Sequence, residues 1–188
     1  MERIIETERL ILRPWEDSDA ESLYTYAKDP QVGPMACWPP HTSVENSLEI
    51  IRTVLSKPNT YAVCLKEDNV AIGSIGLFQS ETRDAKDGEL ELGFWIGAPF
   101  WGRGLIPEAA KVMQKVAFDE LGAEILWCAH WENNDKSRRA QEKCGFVLHH
   151  IEKDNYKPLI DETRTDCVNY MTREHWHERS IKLRNAAK

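Results

Sequence analysis

The decisive stretch of the sequence is Glu89-Leu-Glu-Leu-Gly-Phe-Trp-Ile96, followed closely by Trp101-Gly-Arg-Gly-Leu-Ile-Pro-Glu-Ala-Ala110. This pattern predicts a strand, a turn that contains glycine, and the start of a helix. Backbone N–H groups in the first turn of a helix have no partner within the helix, so they can hold a phosphate. The stretch therefore indicates a binding site for a phosphate-bearing, nucleotide-like ligand beside the edge of a strand.

The length and charge of the chain limit what the protein can be. Its 188 residues fit one domain, since a domain usually has about 100–200 residues, and we expect a single domain over residues 1–188. The net charge of −7 at pH 7 disfavours nucleic acid as a partner, because phosphate backbones bind basic surfaces. The charge is compatible with a cationic amine substrate, although solubility alone explains it equally well.

The sequence also gives expectations about compartment and metals. No apolar run approaches the ~20 residues that span a bilayer, and the charged N-terminus lacks the apolar region of a signal peptide. We therefore expect a cytoplasmic protein without a membrane partner. The five cysteines have no CxxC spacing, which predicts reduced residues rather than a disulfide framework or a zinc site. We expect no bound metal.

The remaining hydrophobic patterns predict a mixed α/β fold with the element order βααβββαβαββ. Strands are expected at residues 9–13, 61–65, 70–78, 89–96, 125–130, 146–151 and 167–171. Capping boxes at 18–21 and 42–45 predict the starts of the first two helices. Further helices are expected at 107–121 and 137–143, and the residues from Arg173 onward predict a frayed surface helix.

The glycines Gly102 and Gly104 are a weak signal by themselves. No Lys-Ser/Thr pair follows them, as a Walker loop requires, and the third glycine and βαβ unit of a dinucleotide fingerprint are missing. They could form a tight turn that needs positive φ and binds no ligand. A second polar segment, 133–146, follows the next strand. Two such strands can separate and form a cleft in which an extended ligand pairs with one edge.

In these motifs the chain resembles the GNAT superfamily of acetyl-CoA-dependent N-acetyltransferases. It is similar to the RimJ/RimL branch, the ribosomal-protein N-terminal acetyltransferases and their small-molecule relatives. The matching segments are 7–14, 18–20, 91–96, 101–104, 107–109, 134–137 and 142–146, so the resemblance covers nearly the whole chain. It implies a splayed sheet of six to seven strands flanked by about four helices, with acetyl-CoA as the co-substrate.

The resemblance also implies which residues hold acetyl-CoA. The backbone around Phe94 and Ile96 would pair with the pantetheine arm, and Asn134 would hydrogen-bond to it, although Asn134 could instead cap the next helix. The pyrophosphate loop corresponds to Gly102, Arg103, Gly104, Leu105 and Ile106. Trp101 stands where many members have Gln or Arg, and Ile106 replaces a small residue. Arg103 could add charge near the phosphates or extend into solvent.

Acetyl transfer needs a base for the amine and a donor for the developing oxyanion, for which a strand amide near Phe94 is a candidate. Glu91 shares a strand face with Glu89 and lies nearer the expected cleft. It is the candidate base, or a carboxylate that holds water, and a candidate acceptor contact. It could also be an ordinary solvent-facing or salt-bridged glutamate. His130 is a second candidate base, although a single histidine is more often structural.

The resemblance places at Ser137 the hydroxyl that protonates the departing thiolate. Many members use a tyrosine on the same helix, where this chain has Gln141. Ser137 could instead bond to its own helix backbone. If these residues do not act, the chain would be a catalytically silent acyl-CoA-binding regulatory module.

The segments 35–41 and 154–166 occupy places where the family builds its acceptor pocket. Trp38 could stack on a substrate or be packed down. The acidic residues of the loop 154–166 could attract an amine or simply be solvated. The acceptor would be a protein N-terminus or a small molecule with a primary amine, attacked directly in a ternary complex. The sequence is also compatible with a homodimer.

Overall fold

The computed structural model describes residues 3–79 and 86–186. These residues form one mixed sheet of eight strands, in the order β1-β2-β3-β4-β5-β6-β8-β7. The strands are β1 (Ile5–Glu6), β2 (Leu10–Arg13), β3 (Thr60–Leu65), β4 (Ala71–Phe78), β5 (Glu89–Ile96), β6 (Ile125–Trp131), β7 (Val147–Lys157) and β8 (Glu162–Thr172). The α-helices are α1 (Ala20–Ala27), α2 (Val44–Ile50), α3 (Leu105–Lys115), α4 (Asp135–Cys144) and α5 (Arg173–Ala186).

The predicted mixed α/β class is confirmed, and all seven predicted strands are present. The sheet has one strand more than the expected six to seven, because Ile5–Glu6 pairs with β2. Two residues are too short to show a period, so no pattern in the sequence predicted this strand. The predicted helix from Arg173 onward is present as α5, but it is anchored to the core: α5 buries Trp176, whose ring centroid lies 5.3 Å from that of Phe118.

Helices cover both faces of the sheet. On one face, Leu92 and Ile96 of β5 lie in a core with residues of α3 and with Trp176 of α5. On the other face, Trp95 packs against a smaller core that includes Leu23 of α1. Since neighbouring residues of a strand point to opposite faces, β5 contributes to both cores.

The first two helices begin differently from the predicted capping boxes. A 3₁₀ turn at Asp17–Asp19 precedes α1, and its reciprocal cap joins Glu16 with Asp19 rather than Ser18 with Glu21. The N-cap of α2 is Ser43, whose Oγ accepts from the N–H of Asn46 at 3.1 Å. Both offsets are small because Ser, Thr and Asp are all good caps, and tertiary contacts decide which of them is used.

The predicted loop 154–166 is mostly a β-hairpin. β7 and β8 remain paired as far as Lys157 and Glu162, so only residues 158–161 connect them. The far part of β7 is polar and exposed on both faces, and the alternation that identifies a half-buried strand is missing there. Backbone pairing with β8, which also contacts β6, extends the strand without that signal.

The sheet divides at its centre. β5 pairs with β4 along residues 91–96, but it pairs in parallel with β6 only at 89–91, opposite 125–127. From Cys128 onward, β6 continues its pairing with β8 alone within the described residues. A gap therefore opens between residues 92–96 of β5 and 128–131 of β6, and we call it the central cleft.

Candidate active site

The N-terminus of α3 stands at the end of the central cleft. Gly102 and Gly104 have φ angles of 76° and 74°, a region that glycine enters without strain. Gly104 is the N-cap of α3, and no side chain of the described residues caps this end of the helix. The side chains of Leu105 and Ile106 are buried in the core. Only their backbone amides, which lack intrahelical acceptors, are left to meet a ligand.

The turn between β1 and β2 holds this helix end in place. Arg9 donates from Nε to Glu108 Oε2 at 2.7 Å, and Thr7 Oγ1 donates to Glu108 Oε1 at 2.5 Å. Arg9 Nη1 also donates to the carbonyl of Arg103 at 2.9 Å. Burial raises the pKa of Glu108, but the hydrogen bonds from Thr7 and Arg9 outweigh it, and the net pKa is lowered. The sequence analysis missed Thr7 and Arg9 as supports because they lie about one hundred positions from their partner.

The side chain of Arg103 is exposed, and its guanidinium lies 5.5 Å from the ring centroid of Phe100. Its carbonyl is fixed by Arg9, so the backbone of the loop is held while the charged group extends from it. The side chain can approach a phosphate from this position. The geometry is equally that of a solvated arginine, which leaves both sequence interpretations standing.

Trp101 connects the two sides of the central cleft. Its indole Nε1 donates to the carbonyl of Ile96 at 2.9 Å, which fixes the loop to the end of β5. The ammonium of Lys136, in the first turn of α4, lies 3.6 Å from the centroid of a Trp101 ring. The carbonyl of Ile96 therefore already has a donor, while Phe94 lies within the stretch of β5 that borders the cleft. Lys136 was not anticipated from the sequence.

Asn134 is the N-cap of α4. Its Oδ1 accepts from the N–H of Ser137 at 3.1 Å, and its Nδ2 lies 3.5 Å from the carbonyl of Met35. The capping role named as an alternative from the sequence is therefore realised. The second contact is long for a hydrogen bond, so the amide NH₂ retains donor capacity on the side of the turn Pro34–Ala36.

Ser137 is half-buried and belongs to a polar network inside the fold. Its Oγ accepts from Gln141 Nε2 at 3.0 Å. Gln141 Nε2 also donates to the carbonyl of Ala129 at 3.1 Å, and Gln141 Oε1 accepts from Asn169 Nδ2 at 2.6 Å. Because Asn134 caps the N–H of Ser137, the serine hydroxyl is not the cap of this helix. The sequence identified Ser137, but it did not reveal the contact to Asn169, which lies 28 positions from Gln141.

Glu91 is the last residue of β5 that pairs with β6, so it stands where the central cleft begins. It is half-buried and, by strand alternation, shares a face with Glu89 and Trp95. Glu89 Oε2 accepts from Trp127 Nε1 at 3.0 Å, which commits that carboxylate to a structural contact. His130 is 7% exposed, and its Nδ1 lies 2.9 Å from the carbonyl of Trp131. Its burial among backbone contacts favours Glu91 over His130 as the base.

Trp38 lies on the same face of the sheet as Glu91. Its ring centroid is 5.5 Å from that of Trp95, at 71°, and an added Cβ on Gly33 would meet the Trp38 ring at 2.5 Å. The ring thus packs against Gly33 and Trp95, which is the packing alternative named in the sequence analysis. The ring of His41 also lies 5.3 Å from that of Trp38, centroid to centroid, yet Trp38 remains half-exposed, so part of its ring is accessible to an acceptor.

Three of the four acidic residues between 154 and 166, namely Asp161, Glu162 and Asp166, have partners within the described structure. Asp166 pairs with Lys157, and Asp161 accepts from the Tyr156 hydroxyl at 2.7 Å. Arg164 pairs with Glu162 at 2.6 Å and donates to the carbonyl of Pro34 at 2.5 Å. These contacts leave the carboxylates less suited to attracting an amine than their number suggests. The contact of Arg164 with the Pro34 carbonyl connects the turn before Trp38 to the hairpin, a role that the sequence did not indicate.

Residues 3–79 and 86–186 contain no cluster of three or more His, Cys, Asp or Glu side chains arranged to hold a metal ion. They also contain no helix whose length and apolar character would let it cross a bilayer.

The sequence matches a known protein family over the residues that form the central cleft. The model of the family described as "Acetyltransferase (GNAT) domain" matches residues 9–147. The chain belongs to the GNAT acetyltransferase family. The matched range includes β5, the uncapped start of α3 and all of α4, so the GNAT assignment covers the central cleft. The resemblance inferred from the motifs is confirmed, and the protein is an acyltransferase.

Individual relatives of this GNAT protein are also acetyltransferases by name. It is 32% identical over 163 residues to an uncharacterized N-acetyltransferase, p20, of Bacillus licheniformis, which covers 82% of this chain and 90% of the relative. The structure of a GNAT-family acetyltransferase from Bacillus anthracis matches with a TM-score of 0.79 at 20% identity, over 92% of this chain and 99% of that one. The ribosomal-protein-S5-alanine acetyltransferase of Vibrio fischeri matches with a TM-score of 0.72 at 20% identity, over 93% and 98%. At these identities the two structures support the shared fold.

Proposed function

We propose that this protein transfers the acetyl group of acetyl-CoA to a primary amine by direct attack in a ternary complex. The observation that carries the proposal is the central cleft, which runs along residues 92–96 of β5 and ends at the uncapped N-terminus of α3. A strand edge and a helix N-terminus in line suit a ligand that has an amide-bearing arm and a pyrophosphate.

The residues around the cleft fit acetyl-CoA. The amides of Gly104, Leu105 and Ile106 would receive the pyrophosphate, favoured by the positive end of the helix dipole. Pro107 has no N–H and so ends this set of donors. The backbone at Phe94 would pair with the pantetheine amides as an added strand would, and the Nδ2 of Asn134 would donate to the arm from the opposite side.

The chemistry begins with the acceptor, which arrives as an ammonium. Glu91 would remove a proton from it, directly or through a water, and the free amine nitrogen would form a bond to the thioester carbon. A backbone N–H near Phe94 would stabilise the negative oxygen that develops. The carbon–sulfur bond then breaks and its electron pair leaves on sulfur. The positively charged nitrogen of the adduct would lose its extra proton to water, while Ser137 would supply a proton to the sulfur and regain one from water, which gives the N-acetyl amine and CoA.

For the acceptor, a protein N-terminus is our first choice. The V. fischeri enzyme with the same fold is named for an alanine of ribosomal protein S5, and the motifs resemble the RimJ/RimL branch. Trp38 would contact the residue that carries the amine. A small-molecule amine is the other choice, since a shared fold does not determine the acceptor.

Thiol release from acetyl-CoA, measured across small amines and N-terminal peptides, tests the proposal. We expect turnover on at least one acceptor, and a loss of about 10²-fold or more in kcat for Glu91→Gln. Glu89→Gln is the matched control, because this neighbouring carboxylate contacts Trp127 and lies farther from the cleft. CoA binding without turnover on any acceptor, with Glu91→Gln unchanged in CoA affinity, would instead indicate a catalytically silent acyl-CoA-binding module.

A further inference from the structure

Gln141 is a buried polar residue whose amide is fully used inside the fold. It is 1% exposed, and its two ends make three hydrogen bonds: to the carbonyl of Ala129, to Ser137 Oγ, and from Asn169 Nδ2. Asn169 is itself 7% exposed. A side-chain amide with each N–H and its oxygen engaged has a single favourable orientation.

The carbonyl of Ala129 determines that orientation. A carbonyl oxygen can only accept, so the end of the Gln141 amide that faces Ala129 must be the NH₂ group. One N–H points to Ala129, and the other points to Ser137 Oγ at 3.0 Å. The serine oxygen is therefore the acceptor in this contact. Its single proton must point away from Gln141.

Ser137 lies in the part of α4 that borders the central cleft. The preceding residue, Lys136, contacts Trp101 of the loop before α3, so the first turn of α4 borders the central cleft. The N–H of Ser137 is already capped by Asn134. A hydroxyl that accepts one hydrogen bond also donates its own proton more strongly, because hydrogen bonds in a chain polarise one another.

We propose that Gln141 is a positioning residue that turns the Ser137 hydroxyl toward the sulfur of coenzyme A in the central cleft. The inference rests on the proposed function, since it requires the thioester arm to occupy that cleft. Gln141 would not touch the substrate; it would act through Ser137. The residue thus gains a role in catalysis at a position where many family members carry a different side chain.

Binding tests the inference without requiring turnover. Calorimetry would compare the affinities for CoA and for desulfo-CoA, in which the thiol is replaced by hydrogen. We expect the parent to prefer CoA by about fivefold, the size of one modest hydrogen bond. Ser137→Ala and Gln141→Met should each remove the preference, and the double variant should lose nothing further.

Gln114→Met is the matched control. Gln114 is 3% exposed and donates from Nε2 to the carbonyl of Cys144 at 3.1 Å, so it is another buried glutamine that serves a backbone carbonyl. This variant should keep the preference for CoA, although it loses a comparable hydrogen bond. If Gln141→Met does not fold, Gln141→Leu replaces it in the experiment. A leucine side chain has no hydrogen-bond donor for Ser137, so the same loss of preference is expected.

Kinetics give the second readout. Gln141→Met should lower kcat with the KM for acetyl-CoA unchanged, and this effect should disappear when Ser137 is already alanine. Retention of the CoA preference in Gln141→Met, or full additivity with Ser137→Ala, would overturn the inference and leave Gln141 a structural residue.

The outcomes separate this inference from the proposed function. A Gln141-dependent preference for CoA in a protein that acetylates no amine would uphold the inference and remove the proposed catalysis. If the protein transfers acetyl groups but Gln141→Met keeps the preference for CoA over desulfo-CoA, the proposed function stands and the inference about Gln141 is wrong. Failure of both CoA and desulfo-CoA to bind would overturn both.

Discussion

Arg9 and Glu108 are 99 positions apart in the sequence, yet Arg9 Nε donates to Glu108 Oε2 at 2.7 Å. The same guanidinium donates to the carbonyl of Arg103 at 2.9 Å. One side chain from the turn between β1 and β2 thus holds both the first turn of α3 and the glycine loop before it. The shape of the loop that we propose binds phosphate therefore depends on a residue outside it.

Replacing Arg9 by glutamine should weaken CoA binding by about fivefold, because the loop loses the donor that fixes the Arg103 carbonyl. Calorimetry with CoA measures the change. Arg52→Gln is the control: Arg52 forms an exposed pair with Asp17 at 2.6 Å, away from the loop, and its loss should leave CoA affinity unchanged. Equal affinities for the parent and Arg9→Gln would mean that the loop holds its shape without this contact.

The carboxylate of Glu108 should make stability depend on pH. Its side chain is 17% exposed, and hydrogen bonds lower its folded pKa below the ordinary 4.5. A lowered folded pKa adds stability above the unfolded pKa, and this stability is lost as the pH falls through the folded value. At pH 7, Glu108→Gln should cost about 1 kcal/mol.

Urea unfolding of the parent and Glu108→Gln at several pH values checks this sign. The difference in unfolding free energy should be largest above pH 4.5 and should shrink in more acidic solution, where the parent carboxylate becomes protonated. A difference that grew on acidification would contradict the assigned hydrogen bonds.

Comparing Gly102→Ala with Gly122→Ala should distinguish a loss of stability caused by backbone strain from a loss of CoA affinity caused by contact with the ligand. The two glycines have similar φ angles, 76° and 71°, so alanine should cost each variant about 1 kcal/mol of stability. A Cβ on Gly102 would meet no atom of a described residue beyond its chain neighbours within 4 Å, and Gly102 belongs to the loop that we propose binds the phosphates. Only Gly102→Ala should therefore weaken CoA binding, by about tenfold. Equal CoA affinities of the two variants would place the phosphates elsewhere.

The ion pair between Arg13 and Asp19 should dominate the electrostatic contribution to stability near α1. Its two hydrogen bonds measure 2.7 and 2.8 Å, and the side chains are 7% and 8% exposed. Asp19→Asn should cost about 3–5 kcal/mol, because it leaves the buried Arg13 without its counter-charge. The exposed Asp17 offers a matched control, and Asp17→Asn should not change the urea midpoint measurably. Comparable losses in both variants would show that burial is not the deciding factor.

The sequence predicted the parts of the site that depend on local pattern. The strand at 89–96 and the uncapped start of α3 follow from alternation and from the two glycines, so their positions could be anticipated. The contacts of Arg9 with Glu108 and of Gln141 with Asn169 could not, since they join distant segments that only the fold brings together. A single sequence shows no signal for such pairs.

The missed boundaries have equally physical causes. The second half of β7 is polar on both faces, and its strand character comes from pairing with β8 rather than from its side chains. The choice of Ser43 over Thr42 as a cap reflects near-equal propensities that the surroundings resolve. In both cases the local code is ambiguous and tertiary contact decides.

Within the residues that the structure describes, three residue pairs join β1–β5 to β6–β8 across the sheet, at 89–91 opposite 125–127. Beyond them the chain leaves an interior seam that its own backbone does not close. A pantetheine arm lying in that seam would take the place of a strand, and a new arm would fill the position in every catalytic cycle. Since a ligand that binds only the folded state stabilises it by mass action, the resistance of this protein to heat should follow the CoA concentration around it. The substrate would then be a component of the fold as well as the material on which it acts.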